Sequence, residues 1–234
     1  MNRIKLQPLI YLGSDTVFGY EALYRKENSA DYPSASYILD RIASSNKYCN
    51  NFQLFINMTV QDVIDPNFCA SFLKVLEKEQ IDGSNIVLEV SENTSPGSLC
   101  IAKRTLCLLR NYNIRIALDD FGTEYSSLSF LHELPIDIVK IDKKFVQQAP
   151  TDKKARTLMR HCVNISHDLG CEVVAEGIES QDHLDCVKDC SADIGQGFLF
   201  AASFRNLQKK FKPLIDLCEF PSFPFERMPK AVYC

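Results

Sequence analysis

Apolar runs recur along the chain, separated by stretches in which apolar residues fall three or four positions apart. The runs, rich in β-branched residues, predict strands at Ile4–Leu12, Val17–Tyr24, Leu54–Met58, Ile86–Val90, Arg115–Leu118, Ile136–Ile141, Glu172–Ala175 and Gly197–Ala201. The stretches between them predict helices at Ser34–Lys47, Asn67–Glu79, Ser98–Tyr112, Ser126–His132, Asp152–Leu169 and Gln181–Lys188. Within Ser98–Tyr112, for example, Leu99, Ala102, Leu106 and Leu109 share helical spacing while Lys103 and Arg110 fall on other faces. Strands that alternate with helices imply an α/β fold whose parallel sheet is covered on both faces. Eight strands in one chain favour a closed, TIM-like (β/α)8 barrel, because neither GxGxxG nor GxxxxGK[ST], the phosphate turns of open sheets, occurs. Only Gly13-Ser14-Asp15-Thr16 separates the first two strands, which is too short for a crossover helix. An N-terminal hairpin, and with it one antiparallel strand, is therefore expected.

After Phe204 the periodicity fades and Pro213, Pro221, Pro224 and Pro229 follow, so the barrel is expected over residues 1–212 and a Pro-rich extension over 213–234. Composition changes this picture little: 46% of the residues are hydrophobic and 24% charged, as in an ordinary globular chain. The net charge of −4 argues against a protein that grips polymeric nucleic acid by its phosphates. No apolar run reaches the length of a membrane segment, and MNRIKLQPLIYL lacks the features of an export signal, so a cytoplasmic protein is expected. Ten cysteines are scattered along the chain and are read as reduced thiols. His183, Cys186 and Cys190 share a helix face, but packing explains them better than a zinc site that lacks a fourth ligand. His132, His161 and His167 read as surface or packing residues, and Ser126 and Ser127 as helix caps.

In such a barrel, residues at the C-terminal ends of the strands converge on one mouth, where the chemistry sits. Asn57 ends LFIN and Asp119 and Asp120 end IALDD; Glu21 lies in GYEALYR, Glu89 in IVLEVSE and Lys140 in IVKID; Glu176 and Glu179 follow VVA, and Gln196 comes just before GFLF. Carboxylates crowded together repel, and divalent cations are the physical remedy. With oxygen donors and neither Cys nor His among them, the set suits Mg²⁺ or Mn²⁺. Two such ions can activate a water and support in-line displacement at phosphorus. Asp142 is open to two readings: a neighbour of the metal, or a partner of Lys140 or Lys143.

GYEALYR, DDFGTEYSSLSFLHELPIDIVKID, VVAEGIES and QGFLF, in that order, resemble the EAL-domain family of cyclic di-GMP phosphodiesterases, and the resemblance runs from about Leu6 to Phe204. It implies hydrolysis of cyclic di-GMP to linear pGpG with two Mg²⁺ or Mn²⁺ ions, in a homodimer formed near the DFGTEYSS loop. By motif, Glu21, Asn57, Glu89, Asp119, Asp120 and Glu176 resemble metal ligands. Lys140 resembles the lysine that holds or polarises the attacking water, and Glu179 the glutamate that steadies the metal-site loop; with Asp120 these form the expected catalytic set. Arg25 resembles the arginine that holds a substrate phosphate. Leu23, the leucine of the EAL triplet, and Gln196, of the QG pair, belong with it to the expected substrate contacts.

The chain departs from the family pattern at Glu124, where DFGTGYSS becomes DFGTEYSS, and a glycine-like backbone there would strain a glutamate by about 1–2 kcal/mol. The usual tryptophan and HP after the EAL arginine give way to YRKENSADYP, and the proline after the last strand is missing. The alternative function is accordingly a weak or inactive scaffold that acts as a cyclic di-GMP receptor or as a regulator of a protein partner.

Overall fold

The computed structural model describes residues 3–25, 32–44, 52–91, 99–122 and 127–200. A hairpin opens the fold: β1 (Arg3–Tyr11) pairs antiparallel with β2 (Val17–Arg25), and Asp15 turns the chain at φ 53°. The remaining strands are β3 (Gln53–Asn57), β4 (Ile86–Ser91), β5 (Arg115–Phe121), β6 (Ile138–Ile141), β7 (Glu172–Ala175) and β8 (Ile194–Gln196). From β2 to β8 every neighbouring pair is parallel. Closure comes from β1, which is antiparallel to β8 as well as to β2, with Leu9 opposite Gln196. The expected TIM-like barrel with one antiparallel strand is therefore the fold.

The helices are α1 (Ala35–Ala43), α2 (Val60–Ile64), α3 (Phe68–Glu79), α4 (Leu99–Arg110), α5 (Ser127–Glu133), α6 (Lys143–Gln148), α7 (Lys153–Asp168) and α8 (Gln181–Asp189). Apolar stripes dock them on the barrel: Ile38, Leu39 and Ile42 of α1 and Ala102, Leu106 and Leu109 of α4 are all buried. Inside the barrel Leu9, Phe55, Val87, Ala117, Ile138, Val174 and Ile194 are buried in one cluster, with Phe18 beside them. Phe18 is the extra residue of a register shift opposite Leu9 and Ile10.

Two features differ from the sequence reading. The last strand is Ile194–Gln196 rather than Gly197–Ala201, and Phe198–Phe200 are helical. The apolar GFLF run misleads because it packs just past the strand: a Cβ on Gly197 would lie 2.1 Å from the Ile178 carbonyl oxygen, so only glycine permits this approach. The second difference is β6, which begins at Ile138 rather than Ile136, whose N–H is spent in a local turn on Leu134 O. Helices α2 and α6, of five and six residues, are too short to show a helical period and were not expected. Glu124, the Pro-rich extension and the boundary at residue 212 lie outside the described residues.

Among the described residues no helix is long and apolar enough to cross a membrane. The described cysteines are free thiols, and none belongs to a metal-type cluster among the described residues. Cys186 and Cys190 are buried in the packing of α8, and His183 Nδ1 accepts from Glu179 N.

Candidate active site

Side chains two apart on a strand point to the same side. Two residues beyond the apolar layer of Phe55, Val87, Ala117, Ile138, Val174 and Ile194 stand Asn57, Glu89, Asp119, Lys140, Glu176 and Gln196. One step along six strands thus converts an apolar plug into a polar floor at the mouth. Glu21 joins it from β2, where it pairs with Gln7 and Phe55.

Lys140 is the centre of this floor. Its ammonium lies 2.6 Å from Glu89 Oε1, 2.7 Å from Glu176 Oε1, 3.0 Å from Asp119 Oδ1 and 3.6 Å from Glu21 Oε2, and its side chain is 1% exposed. Burial on its own would lower the Lys140 pKa, but Asp119, Glu176, Glu21 and Glu89 together outweigh it and hold the group well above its ordinary value. The carboxyls respond in the opposite direction. Burial, reinforced by Glu21, raises Glu89 well above the ordinary range, although Lys140 opposes it. Burial likewise pushes Glu176 up to about 7 despite Lys140.

Two amides hold Glu21 in place. Gln196 Nε2 donates to Glu21 Oε2 at 2.6 Å, and Asn57 Nδ2 donates to Glu21 Oε1 at 3.1 Å. Gln196 Oε1 and Glu89 Oε2 are buried with no hydrogen-bond partner among the described residues. Buried acceptors without donors are costly, and a hard cation is a physical partner for them.

Asp119 and Asp120 are adjacent on β5, where alternation would send them to opposite sides. The register shifts between Leu118 and Phe121, and Asp120 adopts φ 56°, a left-handed conformation that Asp tolerates better than most residues. As a result, one oxygen of each of Asp119, Asp120 and Glu176 lies within 4.8 Å of the others. Burial, Asp119 and then Asp142 raise the Asp120 carboxyl to about 6, and a hydrogen bond with Asp142 contributes in the same direction. Asp142 also caps α6, accepting from Lys144 N at 2.8 Å. It is therefore a neighbour of the acidic cluster that the primary set of candidates omitted; its place two residues after Lys140 was the available signal.

Glu179 stands apart. It is exposed, and its Oε1 accepts from Gln147 Nε2 of α6 at 3.2 Å, away from Lys140. Leu23 lines an open groove of about 900 Å³ that leads outward from Glu21 and Asn57 past Tyr24, Tyr32 and Thr59. Arg25 ends β2 above this groove's strand, and its side chain lies outside the described residues. Every donor in the cluster is oxygen, with Lys140 as the cation among them, and this set fits hard divalent ions.

Comparison with known proteins places this geometry in context. The EAL domain family model matches residues 34–203. A probable cyclic di-GMP phosphodiesterase of Escherichia coli, PdeG, is 32% identical over 158 residues, which cover 68% of this chain and 31% of that protein. The cyclic di-GMP phosphodiesterase PdeL of the same organism is 32% identical over 152 residues, covering 65% of this chain and 42% of that one. A protein of Azorhizobium caulinodans is 34% identical over 149 residues, 64% of this chain and 20% of its own length. The chain thus spans about a fifth to a quarter of the length of the first curated relatives it matches. Among solved structures, the EAL enzyme Bd1971 in its cAMP- and cyclic-di-GMP-bound form superposes with a TM-score of 0.79 at 25% identity, over 89% of this chain and 65% of that one. The EAL domain of Mycobacterium smegmatis DcpA gives 0.77 at 25% identity, over 89% and 96%.

Proposed function

The chain belongs to the EAL domain family, and we propose that it is a metal-dependent phosphodiesterase that hydrolyses cyclic di-GMP to linear pGpG. The observation that carries this reading is the polar floor: carboxylates of Glu21, Glu89, Asp119 and Glu176 around one buried ammonium, with Asp120 brought beside them by a left-handed turn. Glu21, Asn57, Glu89, Asp119, Asp120 and Glu176 would hold two Mg²⁺ or Mn²⁺ ions. When bound, such ions acidify water and neutralise charge on phosphoryl oxygens.

The chain's own groups do the positioning. Lys140 is held protonated by the carboxylates around it, and an N–H that one of them releases when it takes up an ion would orient the attacking water in line with the scissile P–O bond. Gln196 gives one amide N–H to Glu21, and its buried Oε1 would accept a hydrogen bond from that water. Asp142 backs Asp120 and fixes its direction. Glu179, bonded to Gln147, braces the segment that carries Glu176 against α6. Leu23, which lines the groove, would pack beside the nucleotide, and Arg25, the last residue of β2, would take a phosphate oxygen.

The reading extends to a homodimer in the cytoplasm, with residues 1–212 as the barrel unit, 213–234 as an extension, and a regulatory protein partner. The test is to incubate the protein with cyclic di-GMP and Mg²⁺ or Mn²⁺ and separate the nucleotides. Formation of pGpG that stops in chelator supports the reading. Tight binding without product overturns it in favour of a receptor.

A further inference from the structure

The groove beside Glu21 and Asn57 has two walls, from distant parts of the chain. One is α2 with Thr59 before it; the other is the segment Tyr32–Ala35 that leads into α1. Asp62 of α2 is 4% exposed. Its Oδ2 accepts from Thr59 N at 2.9 Å and Thr59 Oγ1 at 3.0 Å, and across the groove from Ala35 N at 3.2 Å. The first of these bonds, together with Asp62 N donating to Thr59 Oγ1 at 3.0 Å, forms a local capping box. The third reaches the first amide of α1, which the Ser34 hydroxyl leaves unserved because it accepts from Tyr37 N.

The same segment is pinned at its other end. The Tyr32 hydroxyl donates to Ala22 O and accepts from Tyr24 N, both at 3.4 Å, which seats it on β2 beside Leu23. Helix α2 is braced from behind, where Thr105 Oγ1 donates to Val63 O at 3.0 Å. A neutral side chain could cap α2 equally well, and burying a carboxylate costs solvation. A charged acceptor gives a stronger bond across the groove.

We propose that Asp62 is a positioning residue: by clamping Tyr32–Ala35 to α2, it fixes the width of the groove that receives the part of the nucleotide beyond the reacting phosphate. This rests on the phosphodiesterase reading above. Without the clamp the groove is competent only part of the time, and apparent affinity falls by that fraction. The reacting floor stands on the strands and is untouched, so KM changes and kcat does not.

The experiment compares the wild type with Asp62→Ala, Asp62→Asn and Thr59→Ala, which removes the local cap but spares the bond to Ala35. Hydrogen exchange of the metal-free proteins reads the clamp directly. Exchange of the Ala35 amide is expected to quicken about tenfold in Asp62→Ala, less in Asp62→Asn, and little in Thr59→Ala. With cyclic di-GMP and Mn²⁺, KM is expected to rise about tenfold in Asp62→Ala at unchanged kcat, with Asp62→Asn between. Turnover of bis(4-nitrophenyl) phosphate, which ends at the floor, is expected to stay the same. Unchanged exchange at Ala35, or unchanged KM, overturns the proposal. So does a parallel fall in kcat and in turnover of the small diester, which marks a merely structural role. Failure of the wild type to open cyclic di-GMP sinks the functional reading and the positioning role together, while unchanged exchange sinks the clamp alone.

Discussion

Replacing Lys140 by methionine removes the one cation among the described residues that lies against Glu21, Glu89, Asp119 and Glu176, while keeping most of the side-chain volume. Breaking a buried charge arrangement by deleting one partner costs ~3–5 kcal/mol. The carboxyls can relieve part of this by taking up protons. Glu176, already pushed up to about 7 despite Lys140, moves higher once that ammonium is gone and takes up a proton at pH 7.5 at little cost. The metal-free loss therefore settles near the lower end, about 3 kcal/mol, or ~6–12 °C in Tm for a chain of this length. The pH dependence has a definite sign. Burial raises Glu89 and Glu176 above their unfolded values, so their contribution to stability is fullest in acid and is lost as pH rises through about 7 for Glu176. Without Lys140, which lowers both groups, they rise further, so the variant goes on losing stability above pH 7 and its deficit relative to wild type is larger at pH 8 than at pH 6. Millimolar Mn²⁺ should restore most of it, since an ion that binds only the folded chain stabilises it by mass action, yet turnover should stay absent. The assay is thermal unfolding of both proteins at the two pH values, in chelator and in Mn²⁺. A variant within ~2 °C of wild type at pH 8 in chelator, or one indifferent to Mn²⁺, would refute the reasoning.

Asp120→Asn keeps a side chain suited to the left-handed turn and able to bond Asp142, but loses the charge. Its Tm should move by less than ~3 °C while the Mn²⁺ needed for half-maximal turnover rises at least about tenfold; coincident metal titrations would count against Asp120 as a ligand. Gly197→Ala would place a Cβ 2.1 Å from the Ile178 carbonyl oxygen, so the backbone must shift; a loss of at least ~2 kcal/mol in urea unfolding is expected, and an unchanged midpoint would contradict the close approach. Glu21→Ala should abolish turnover, whereas Glu179→Gln, at a side chain whose partner among the described residues is Gln147, should lower it by about tenfold at unchanged metal affinity; equal losses would place Glu179 in the reacting set.

The barrel was legible because its strands are short apolar runs, and the hairpin because the five residues between β1 and β2 exclude any crossover. The floor was legible for a related reason: Asn57, Glu89, Asp119, Lys140, Glu176 and Gln196 each follow an apolar interior residue by two, and strand geometry carries that offset to the mouth. What sequence did not reveal is what depends on local backbone. Asp119 and Asp120 were expected to share a position where the strand ends; instead β5 runs on to Phe121, and a left-handed turn at Asp120 breaks the alternation to bring the two together. Gln196 was identified, but as a residue before the last strand rather than its end, because the strand is three residues long and the apolar run follows it. Asp62 had its own signal, a Thr59-x-x-Asp62 capping box, whereas its bond to Ala35 depends on a contact between two loops.

The central claim is that these residues direct water to phosphorus and open the cyclic nucleotide. Incubation of the wild-type chain with cyclic di-GMP and Mn²⁺ in ¹⁸O-labelled water, followed by mass spectrometry, tests it most directly. The account predicts pGpG carrying one ¹⁸O in its terminal phosphate, with no product in chelator or from Lys140→Met. Intact nucleotide after prolonged incubation with Mn²⁺, or a linear product without label in the phosphate, would contradict it.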